Sequence, residues 1–297
     1  MIALVIGYGS IGRRHCKILK KIKEIKKIFV LTKQKNIKFA TISSIKDIIK
    51  INPDYIVVAK STNQHYLYFN FLEKNFSKRI ILIEKPIFEK FYKVKKPKNE
   101  IYVGYNLRYH PVIQFLKKKI NKNFLFCRLI CGSDLRSWRK NINYKHSSSA
   151  QKKHGGGVIN DLSHELDFLN FLFGNIKFMN KYVKKLSNLK INTEDFAAIS
   201  GTAKNLKYFD VSLNYFFKMP IRQILLSSND ETIIGDLINY SVLIKNKNKI
   251  ITKKFKINYN QTYLDMHKAI INKKKKYLCN FKQAIKNLEN LKKIKCL

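Results

Sequence analysis

The sequence begins with a short apolar run that leads directly into three closely spaced glycines. Residues 2–6 are all apolar, which is typical of a strand buried on both faces of a parallel sheet. Residues 7–12 read Gly-Tyr-Gly-Ser-Ile-Gly, and apolar residues then recur at helical spacing as far as Ile22. A strand, this turn and a helix in that order predict a site for the pyrophosphate of a dinucleotide at the helix N-terminus. The alternative is an ordinary tight turn between a strand and a helix.

Strands and helices continue to alternate through the first third of the chain. Apolar runs predict strands at 28–31, 55–59, 80–83 and 101–103, and helical spacing predicts helices at 45–51 and 66–75. This alternation predicts an α/β fold with a doubly wound parallel sheet, which binds its ligand at the carboxyl ends of the strands.

The residues at the end of the second predicted strand indicate which dinucleotide would bind. An NAD site normally carries an acidic residue there, which binds the ribose 2′-hydroxyl. This chain has Thr32 and Lys33 instead, and a hydroxyl beside a cation suits a 2′-phosphate, to which Arg13 could add charge. The pattern favours NADP, and NAD stays open because Lys33 is only one of 52 lysines.

The chain carries a formal net charge of +41, from 60 Lys and Arg against 19 Asp and Glu. Only eight of the basic residues are Arg, and the lysines are spread along the whole chain together with many Ile and Asn. Because Lys, Asn and Ile have codons made only of A and T, a biased genome explains this composition without a partner. Proteins that read nucleic acid favour Arg and cluster their charge, so a nucleic-acid partner is not favoured.

Several classes of protein are excluded by composition. At 45% hydrophobic residues the chain can bury a large core, so it is not a disordered polyelectrolyte. No stretch approaches the ~18 apolar residues of a membrane span, and the N-terminus lacks the pattern of a signal peptide. Five scattered cysteines form neither a disulfide framework nor a zinc motif. We expect a reduced, cytoplasmic protein without a metal site.

The second half of the chain groups its strands together instead of alternating them with helices. Helical spacing returns at 263–271 and 281–291, so this half is predicted to be α+β. We place the boundary near Tyr109, with domains 1–108 and 109–297. The predicted strands are 124–131, 176–185, 193–202, 206–217, 221–227, 231–234, 240–245 and 249–256.

A broad antiparallel sheet with helices on one face leaves its other face to be covered. Stacking against a second copy would cover it, so we expect a homodimer or a homotetramer with two-fold symmetry. The alternative is a monomer whose outer sheet face is polar.

Five further segments carry a family resemblance. They are Ser-Thr-Asn-Gln-His at 61–65, Glu-Lys-Pro at 84–86, Gly-Tyr-Asn-Leu-Arg-Tyr-His-Pro at 104–111, Trp-Arg at 138–139 and the glycine run with its helix at 155–167. Together with the first glycine turn, these segments resemble the Gfo/Idh/MocA family of sugar and inositol oxidoreductases, from residue 1 to about 174 and more weakly beyond. The resemblance implies a Rossmann domain followed by a domain with a large, mostly antiparallel sheet.

The resemblance also implies a set of site residues. Lys85 would reach both nicotinamide and substrate, and Asp161 and His164 would flank the substrate. Arg108, Trp138 and Tyr144 are candidate substrate-binding residues. The cofactor-binding residues would be Gly7, Tyr8, Gly9, Ser10, Ile11, Gly12, Arg13, Thr32, Lys33, Ser61, Thr62, Asn63, His65, Glu84 and Lys85.

The chain departs from the family in two respects. Many members separate the Asp and the His by four positions, whereas Asp161 and His164 are three apart, and the chain is short for the family. Residues three apart on one helix still share a face, so both side chains could point into one cleft. The alternatives are that Asp161 is an acid favoured at a helix start and that Lys85 and His164 have no catalytic role.

Acids are scarce in this chain, yet Asp161, Glu165 and Asp167 fall within seven residues. The leucines and Phe173 of the same segment predict an apolar stripe on the opposite face of a helix. A histidine beside acids suits general acid–base chemistry near neutral pH. This segment is therefore the predicted catalytic helix.

Three hypotheses on function follow from these residues. The first is an NAD(P)-dependent enzyme that transfers a hydride to or from a carbinol carbon of a sugar, nucleotide sugar or polyol, in surface-polysaccharide or unusual-sugar biosynthesis. The second is a non-catalytic basic protein on a dinucleotide-binding scaffold, which binds nucleic acid or anionic surfaces. The third keeps the cofactor but uses transient oxidation in a net lyase or hydrolase reaction.

Overall fold

The computed structural model describes residues 1–120, 124–139 and 143–295. The chain divides into two compact units. Unit 1 consists of Met1–Asn106 and Tyr259–Leu288, and unit 2 consists of Leu107–Asn258 and the described residues from Glu289 onward. Each unit is described separately below.

Unit 1 begins with alternating strands and helices. In chain order they are β1 (Ile2–Ile6), α1 (Ser10–Leu19), β2 (Lys27–Leu31), β3 (Ala40–Ile42), α2 (Asp47–Ile51), β4 (Tyr55–Val58), α3 (His65–Asn75), β5 (Ile80–Ile83) and β6 (Glu100–Val103).

Unit 2 follows with helices and a long series of strands. They are α4 (Pro111–Lys119), β7 (Phe124–Gly132), α5 (Val158–Asp161), α6 (His164–Phe173), β8 (Ile176–Lys184), β9 (Phe196–Ala203), β10 (Leu206–Asn214), β11 (Ile221–Ser228), β12 (Glu231–Asp236), β13 (Ser241–Asn246) and β14 (Ile250–Lys254). The chain ends with α7 (Gln261–Ile271), β15 (Cys279–Asn280) and α8 (Phe281–Lys295), of which α7, β15 and the first half of α8 belong to unit 1.

Sheet A of unit 1 has seven strands in the order β3-β2-β1-β4-β5-β6-β15. All neighbouring pairs are parallel except β6 with β15. The order of the first six strands is that of a Rossmann fold, in which the direction of winding reverses between β1 and β4. The predicted doubly wound parallel sheet is confirmed, and its reversal point lies where the glycine turn leaves β1.

The apolar runs of the sequence form the core of unit 1. Residues 3–6 of β1 and 55–58 of β4 are fully buried, as expected for strands covered on both faces. Phe69 of α3 stacks on Phe281 of α8 with ring centroids 5.8 Å apart. The C-terminal segment thereby contributes to the core of the N-terminal sheet.

Sheet B of unit 2 has eight strands in the order β14-β13-β12-β11-β7-β10-β9-β8. Only β7 and β10 are parallel, and every other neighbouring pair is antiparallel. Helices α4, α5 and α6 pack against strands of this sheet. The prediction of a large, mostly antiparallel sheet is confirmed, and every strand predicted in the second half is present within a few residues.

Helix α4 and strand β15 were not predicted, and the structure differs from the predictions in three further places. The short strand β3 (Ala40–Ile42) pairs with β2 and was not predicted, because two of its three residues are exposed and it is too short to show a pattern. The sequence predicted domains 1–108 and 109–297, whereas residues 259–288 belong to unit 1. Helix α7 packs on α1, so residues 259–288 lie in the same unit as sheet A.

The third difference concerns the predicted catalytic helix. The prediction of one helix through Asp161 and His164 is wrong, because α5 ends at Asp161 and α6 begins at His164. Leu162 and Ser163 form a turn between them. The relation between the two side chains is therefore set by the turn and not by helical spacing.

The described cysteines are Cys16, Cys127, Cys131 and Cys279, and all four are buried free thiols. No described helix combines the length and the apolarity that crossing a bilayer requires. Within residues 1–120, 124–139 and 143–295, no group of three or more His, Cys, Asp and Glu side chains is arranged to hold a metal ion.

Candidate functional site

The glycine turn after β1 has the features that a bound pyrophosphate needs. Gly7 has a φ of +102°, which side chains rarely adopt, and a Cβ on Gly12 would lie 2.0 Å from the Gly7 carbonyl oxygen. Gly9 is exposed, and a Cβ built on it meets nothing within 4 Å. The first and third glycines are thus required for the turn and for helix packing, while the second leaves open space at the N-terminus of α1.

The residues after β2 lie beside this turn. The Thr32 hydroxyl accepts a hydrogen bond from the Gln34 amide at 3.1 Å, and the Gln34 side chain donates to the Tyr8 carbonyl oxygen at 3.4 Å. The Arg13 guanidinium lies over the Tyr8 ring, 6.0 Å from its centroid. Lys33 is exposed. The four predicted residues Tyr8, Arg13, Thr32 and Lys33 therefore belong to one region at the ends of β1 and β2.

The segments after β4 and β5 are joined by His65. Its ring is buried, with Nδ1 3.0 Å from the Pro86 carbonyl oxygen and Nε2 3.0 Å from the Lys60 carbonyl oxygen. Burial lowers the pKa of His65, and the hydrogen bonds to the two carbonyl oxygens partly offset this. His65 therefore holds two loops of the sheet edge together, with little surface left for a ligand.

Ser61 and Asn63 form a local contact in the same segment. The Ser61 hydroxyl donates to Asn63 Oδ1 at 2.7 Å within a 3₁₀ turn over Thr62–Gln64. All three predicted side chains of this turn, Ser61, Thr62 and Asn63, are partly exposed. They remain accessible to a bound cofactor.

Glu84 and Lys85 follow β5 and differ in exposure. Glu84 is 7% exposed, and its Oε1 lies 2.9 Å from Nε2 of the buried His15. Lys85 is half-buried and precedes Pro86 across a cis peptide bond. Burial raises the pKa of Glu84, but the hydrogen bond from His15 and the charge of Lys85 more than offset this and lower it. Glu84 is therefore a buried carboxylate beside a partly accessible lysine.

The residues of this edge fit a dinucleotide. Open space at Gly9, which a side chain would fill, lies at the N-terminus of a ten-residue helix with no acid in its first turn. Uncovered backbone N–H groups and the helix dipole favour an anion there. Partly exposed hydroxyl, amide and cationic side chains follow β2, β4 and β5.

In unit 2, Asp161 is the acceptor of a short hydrogen bond. The Tyr215 hydroxyl donates to Asp161 Oδ2 at 2.6 Å, and the Tyr215 ring packs edge-on against Trp138 with centroids 5.2 Å apart. Burial raises the pKa of Tyr215 and the Asp161 carboxylate raises it further, so Tyr215 stays a protonated donor. Trp138 and Asp161 thus belong to one cluster.

Tyr144 belongs to the same unit. Its hydroxyl accepts a hydrogen bond from the Lys190 amide at 3.2 Å, and its ring is half-buried. Both Tyr144 and Trp138 pack against the edge of the hydrophobic core of unit 2. Each is accessible enough to contact a ligand.

His164 opens helix α6 and is 7% exposed. Its ring lies tilted over Phe168, one turn further along the helix, with centroids 6.3 Å apart. Eight of the ten residues of helix α6 are buried, among them the acids Glu165 and Asp167, so the helix does not have a single apolar stripe.

The remaining acids of the predicted catalytic helix form two ion pairs, one fully buried and one partly buried. Asp167 accepts from Nε and Nη2 of Arg108 at 2.8 and 2.6 Å, with both side chains almost fully buried. Glu165 accepts from Nε and Nη2 of Arg222 at 2.7 and 3.1 Å. The cluster of acids in the sequence therefore has a structural explanation for two of its three members. Arg108, predicted to bind substrate, fixes Asp167 one turn after His164.

Replacing Asp167 by alanine should lower the free energy of unfolding by about 3–5 kcal/mol, because the Arg108 charge would stay buried without its carboxylate. Trp138 is the sole tryptophan, so its fluorescence during urea unfolding reports on unit 2. The matched control is Asp210→Ala, which removes the bidentate partner of the exposed Arg128 and should cost at most about 1 kcal/mol. Equal losses in the two variants would contradict the structural role of the buried pair.

Sequence reasoning missed several polar residues that the structure places at these sites. His15 and His267 are fully buried and hydrogen-bonded to each other, and Tyr215 and Arg222 partner the predicted acids. The only local signal was a histidine at a core-facing position of α1, between Ile11 and Ile18. The sequence around each of these residues does not reveal a hydrogen-bond partner that lies more than fifty positions away in the chain.

The fold is shared with solved oxidoreductases at low sequence identity. A UDP-N-acetylglucosamine 3-dehydrogenase from Acidithiobacillus ferrooxidans is 16% identical with a TM-score of 0.79, covering 99% of this chain and 96% of that chain. An oxidoreductase from Agrobacterium radiobacter, solved with NAD⁺, L-tartaric acid and magnesium, is 16% identical with a TM-score of 0.79, covering 98% and 93%.

A levoglucosan dehydrogenase in complex with NADH is 13% identical with a TM-score of 0.82, covering 98% of this chain and 94% of that chain. No protein-family model matches the sequence, and no curated protein matches it. These likenesses establish a common two-domain fold over nearly the whole chain.

Proposed function

We propose that this protein is an oxidoreductase that uses NADP or NAD to transfer a hydride between nicotinamide and a carbinol carbon of a sugar, nucleotide sugar or polyol. One observation carries the proposal: the glycine turn and Lys85 both follow parallel strands and lie at the same edge of sheet A. The turn leaves open space at Gly9, and Lys85 is half-buried. The fold shared with two sugar-type dehydrogenases supports this substrate class. We place the reaction in the cytoplasm, in surface-polysaccharide or unusual-sugar biosynthesis.

Three residues carry the proposed chemistry, and the bound nicotinamide cofactor supplies the hydride acceptor or donor. His164 takes the hydroxyl proton of the substrate during oxidation. The Lys85 ammonium stabilises the negative charge that develops on the substrate oxygen. Asp161, fixed by the Tyr215 hydroxyl, orients His164 or shares its proton.

The remaining predicted residues have supporting roles in this proposal. Trp138 and Tyr144 contact the substrate, and Arg108 supports α6 through Asp167. The cofactor is held by residues 7–13, by Thr32 and Lys33, and by the turn at Ser61, Thr62 and Asn63.

The proposal is tested by assaying reduction of NADP⁺ and NAD⁺ with a panel of sugars, nucleotide sugars and inositols. Absorbance of the reduced nicotinamide should rise with at least one substrate. Loss of substrate without net reduction of cofactor would instead indicate the lyase or hydrolase reaction. No turnover together with tight, steeply salt-dependent retention on a polyanion column would support the binding protein.

Lys33→Asp should weaken binding of NADP far more than binding of NAD, because it replaces a partner of the 2′-phosphate by a like charge. Binding is measured by titrating each reduced cofactor and following its fluorescence. Lys20→Asp, which makes the same charge change at the far end of α1, is the control and should affect both cofactors little. Equal weakening of NADP and NAD in Lys33→Asp would overturn the preference for NADP.

We also propose that the protein is a homodimer or a homotetramer. Phe126 and Tyr208 stack on the face of sheet B away from the buried core, with ring centroids 6.2 Å apart. Leu243 and Tyr182 are exposed large apolar side chains of the same sheet. Stacking of two such sheets about a two-fold axis would bury these side chains.

A further inference from the structure

A chain of hydrogen bonds between four buried side chains runs through unit 1. The Tyr55 hydroxyl lies 2.7 Å from His267 Nδ1, His267 Nε2 lies 2.8 Å from His15 Nδ1, and His15 Nε2 lies 2.9 Å from Glu84 Oε1. Tyr55, His15 and His267 are 0% exposed. These hydrogen bonds thus link β4, α7 and α1 to Glu84, the residue that precedes Lys85.

With both imidazoles neutral, only one arrangement of protons satisfies all three contacts. An ionised Glu84 can only accept, so the proton of His15 is on Nε2. Nδ1 of His15 must then accept from Nε2–H of His267. Nδ1 of His267 in turn accepts from the Tyr55 hydroxyl. Every bond therefore points toward the Glu84 carboxylate, and buried hydrogen bonds aligned in this way reinforce one another.

The Glu84 carboxylate is closely surrounded by neighbouring groups. A Cβ on Gly104 would lie 2.9 Å from Glu84 Oε1, so a larger residue there would displace the carboxylate from this position. His15 holds one oxygen, and the Lys85 amide donates to the other at 3.3 Å. The carboxylate is therefore held in one orientation.

The charged and titratable groups that interact with Glu84 come from four elements and from the adjoining residue. They are His15 on α1, Tyr55 on β4, His65 on α3, Tyr263 on α7 and the adjoining Lys85. Lys85 is the side chain of this set that also carries the proposed chemistry. Glu84 is buried and Lys85 is half-buried, so their charges interact more strongly than they would in water.

We propose that Glu84 is a positioning residue which keeps Lys85 protonated and in place, and that His15, His267 and Tyr55 hold Glu84 ionised in the orientation this requires. The proposal rests on the function proposed above for Lys85. It explains why the interior of unit 1 carries two histidines and a tyrosine hydroxyl where apolar side chains would pack without any need for partners.

The first test is the pH dependence of kcat/KM for substrate oxidation. Lys85 must be protonated to stabilise the developing negative charge, so activity falls on the alkaline side as Lys85 loses its proton. Glu84→Gln removes the neighbouring negative charge, which lowers the pKa of Lys85, and the alkaline limb should move to lower pH by about one unit. Glu84→Asp keeps the charge and should leave the limb close to its position in the unaltered protein.

The second test follows the hydrogen-bond chain outward. His267→Phe should move the alkaline limb to lower pH, but by less than Glu84→Gln does. Tyr55→Phe removes only a hydroxyl and should move the limb by less than His267→Phe does. Asn99→Ala is the control, because Asn99 is a buried polar residue of unit 1 bonded to Glu73 and to the Phe76 carbonyl oxygen, outside the chain. If Glu84→Gln and His267→Phe lower activity at all pH values without moving the limb, the network is only structural and the proposal is overturned.

A third measurement separates this proposal from the proposed function. Competitive acetylation of the whole protein over a range of pH, followed by peptide mass spectrometry, reports the protonation of each lysine without any substrate. Glu84→Gln should make Lys85 reactive at lower pH, by about one unit, while the exposed Lys90 is unchanged. A shift at Lys85 in a protein that oxidises no sugar would support the network and refute the function, and no shift at Lys85 in an active enzyme would refute the network alone.

Discussion

His164→Ala should lower turnover with the true substrate by roughly 10²–10⁴-fold, which is the usual contribution of a general acid–base group. Oxidation of a carbinol releases the hydroxyl proton as the hydride leaves, and the variant has no side chain to take it. The acid limb of the pH profile should also flatten, because a base loses activity when protonated. Steady-state kinetics from acid to alkaline pH measures both effects.

His110→Ala is the control for removing a histidine from unit 2. His110 is bonded to the Leu237 carbonyl oxygen, and burial lowers its pKa to about 4, so it stays neutral in the assay range. Its loss should cost stability and leave the shape of the pH profile unchanged. Near-normal turnover in His164→Ala would show that the acid–base assignment is wrong, and Asp161 or Tyr144 would be tested next.

Lys85→Ala should lower turnover by roughly 10²-fold or more while leaving cofactor titration nearly intact. The lost interaction is between the ammonium group and charge that develops in the transition state, so it contributes to kcat more than to binding. Single-turnover kinetics and cofactor titration on the same preparation measure the two quantities.

Lys90→Ala removes an exposed lysine five residues later and serves as the control. It should leave both turnover and cofactor binding unchanged. If Lys85→Ala weakened the cofactor by as much as it slowed turnover, Lys85 would be a cofactor-binding residue without a separate role in catalysis.

The sequence by itself determined the class and order of most of the strands and helices. Continuous apolar runs such as Ile2–Ile6 must be buried on both faces, and alternation within 206–214 allows one face of a strand to be solvated. The glycine turn was equally predictable, because the positive φ of Gly7 and the close packing of Gly12 are local requirements. These signals act over a few residues and can be read from one chain.

The break between α5 and α6 was not predictable in this way. Residues 158–173 have apolar spacing that suits one helix, and nothing in the composition of Leu162 and Ser163 marks the turn that separates α5 from α6. Long-range pairing also fixes this segment, since Arg108 and Arg222 lie 59 and 57 residues from their acids. Burial of these charges depends on partners that the local sequence does not reveal.

Only the tertiary structure decided that residues 259–288 belong to the first unit and that Glu84 has a buried support. His15 and His267 are 252 residues apart in the chain but 2.8 Å apart in space. Either histidine alone resembles a polar interruption of an apolar helix face. A hydrogen bond requires both partners to be present at close range, so its existence depends on how α1 and α7 pack and not on either sequence segment alone.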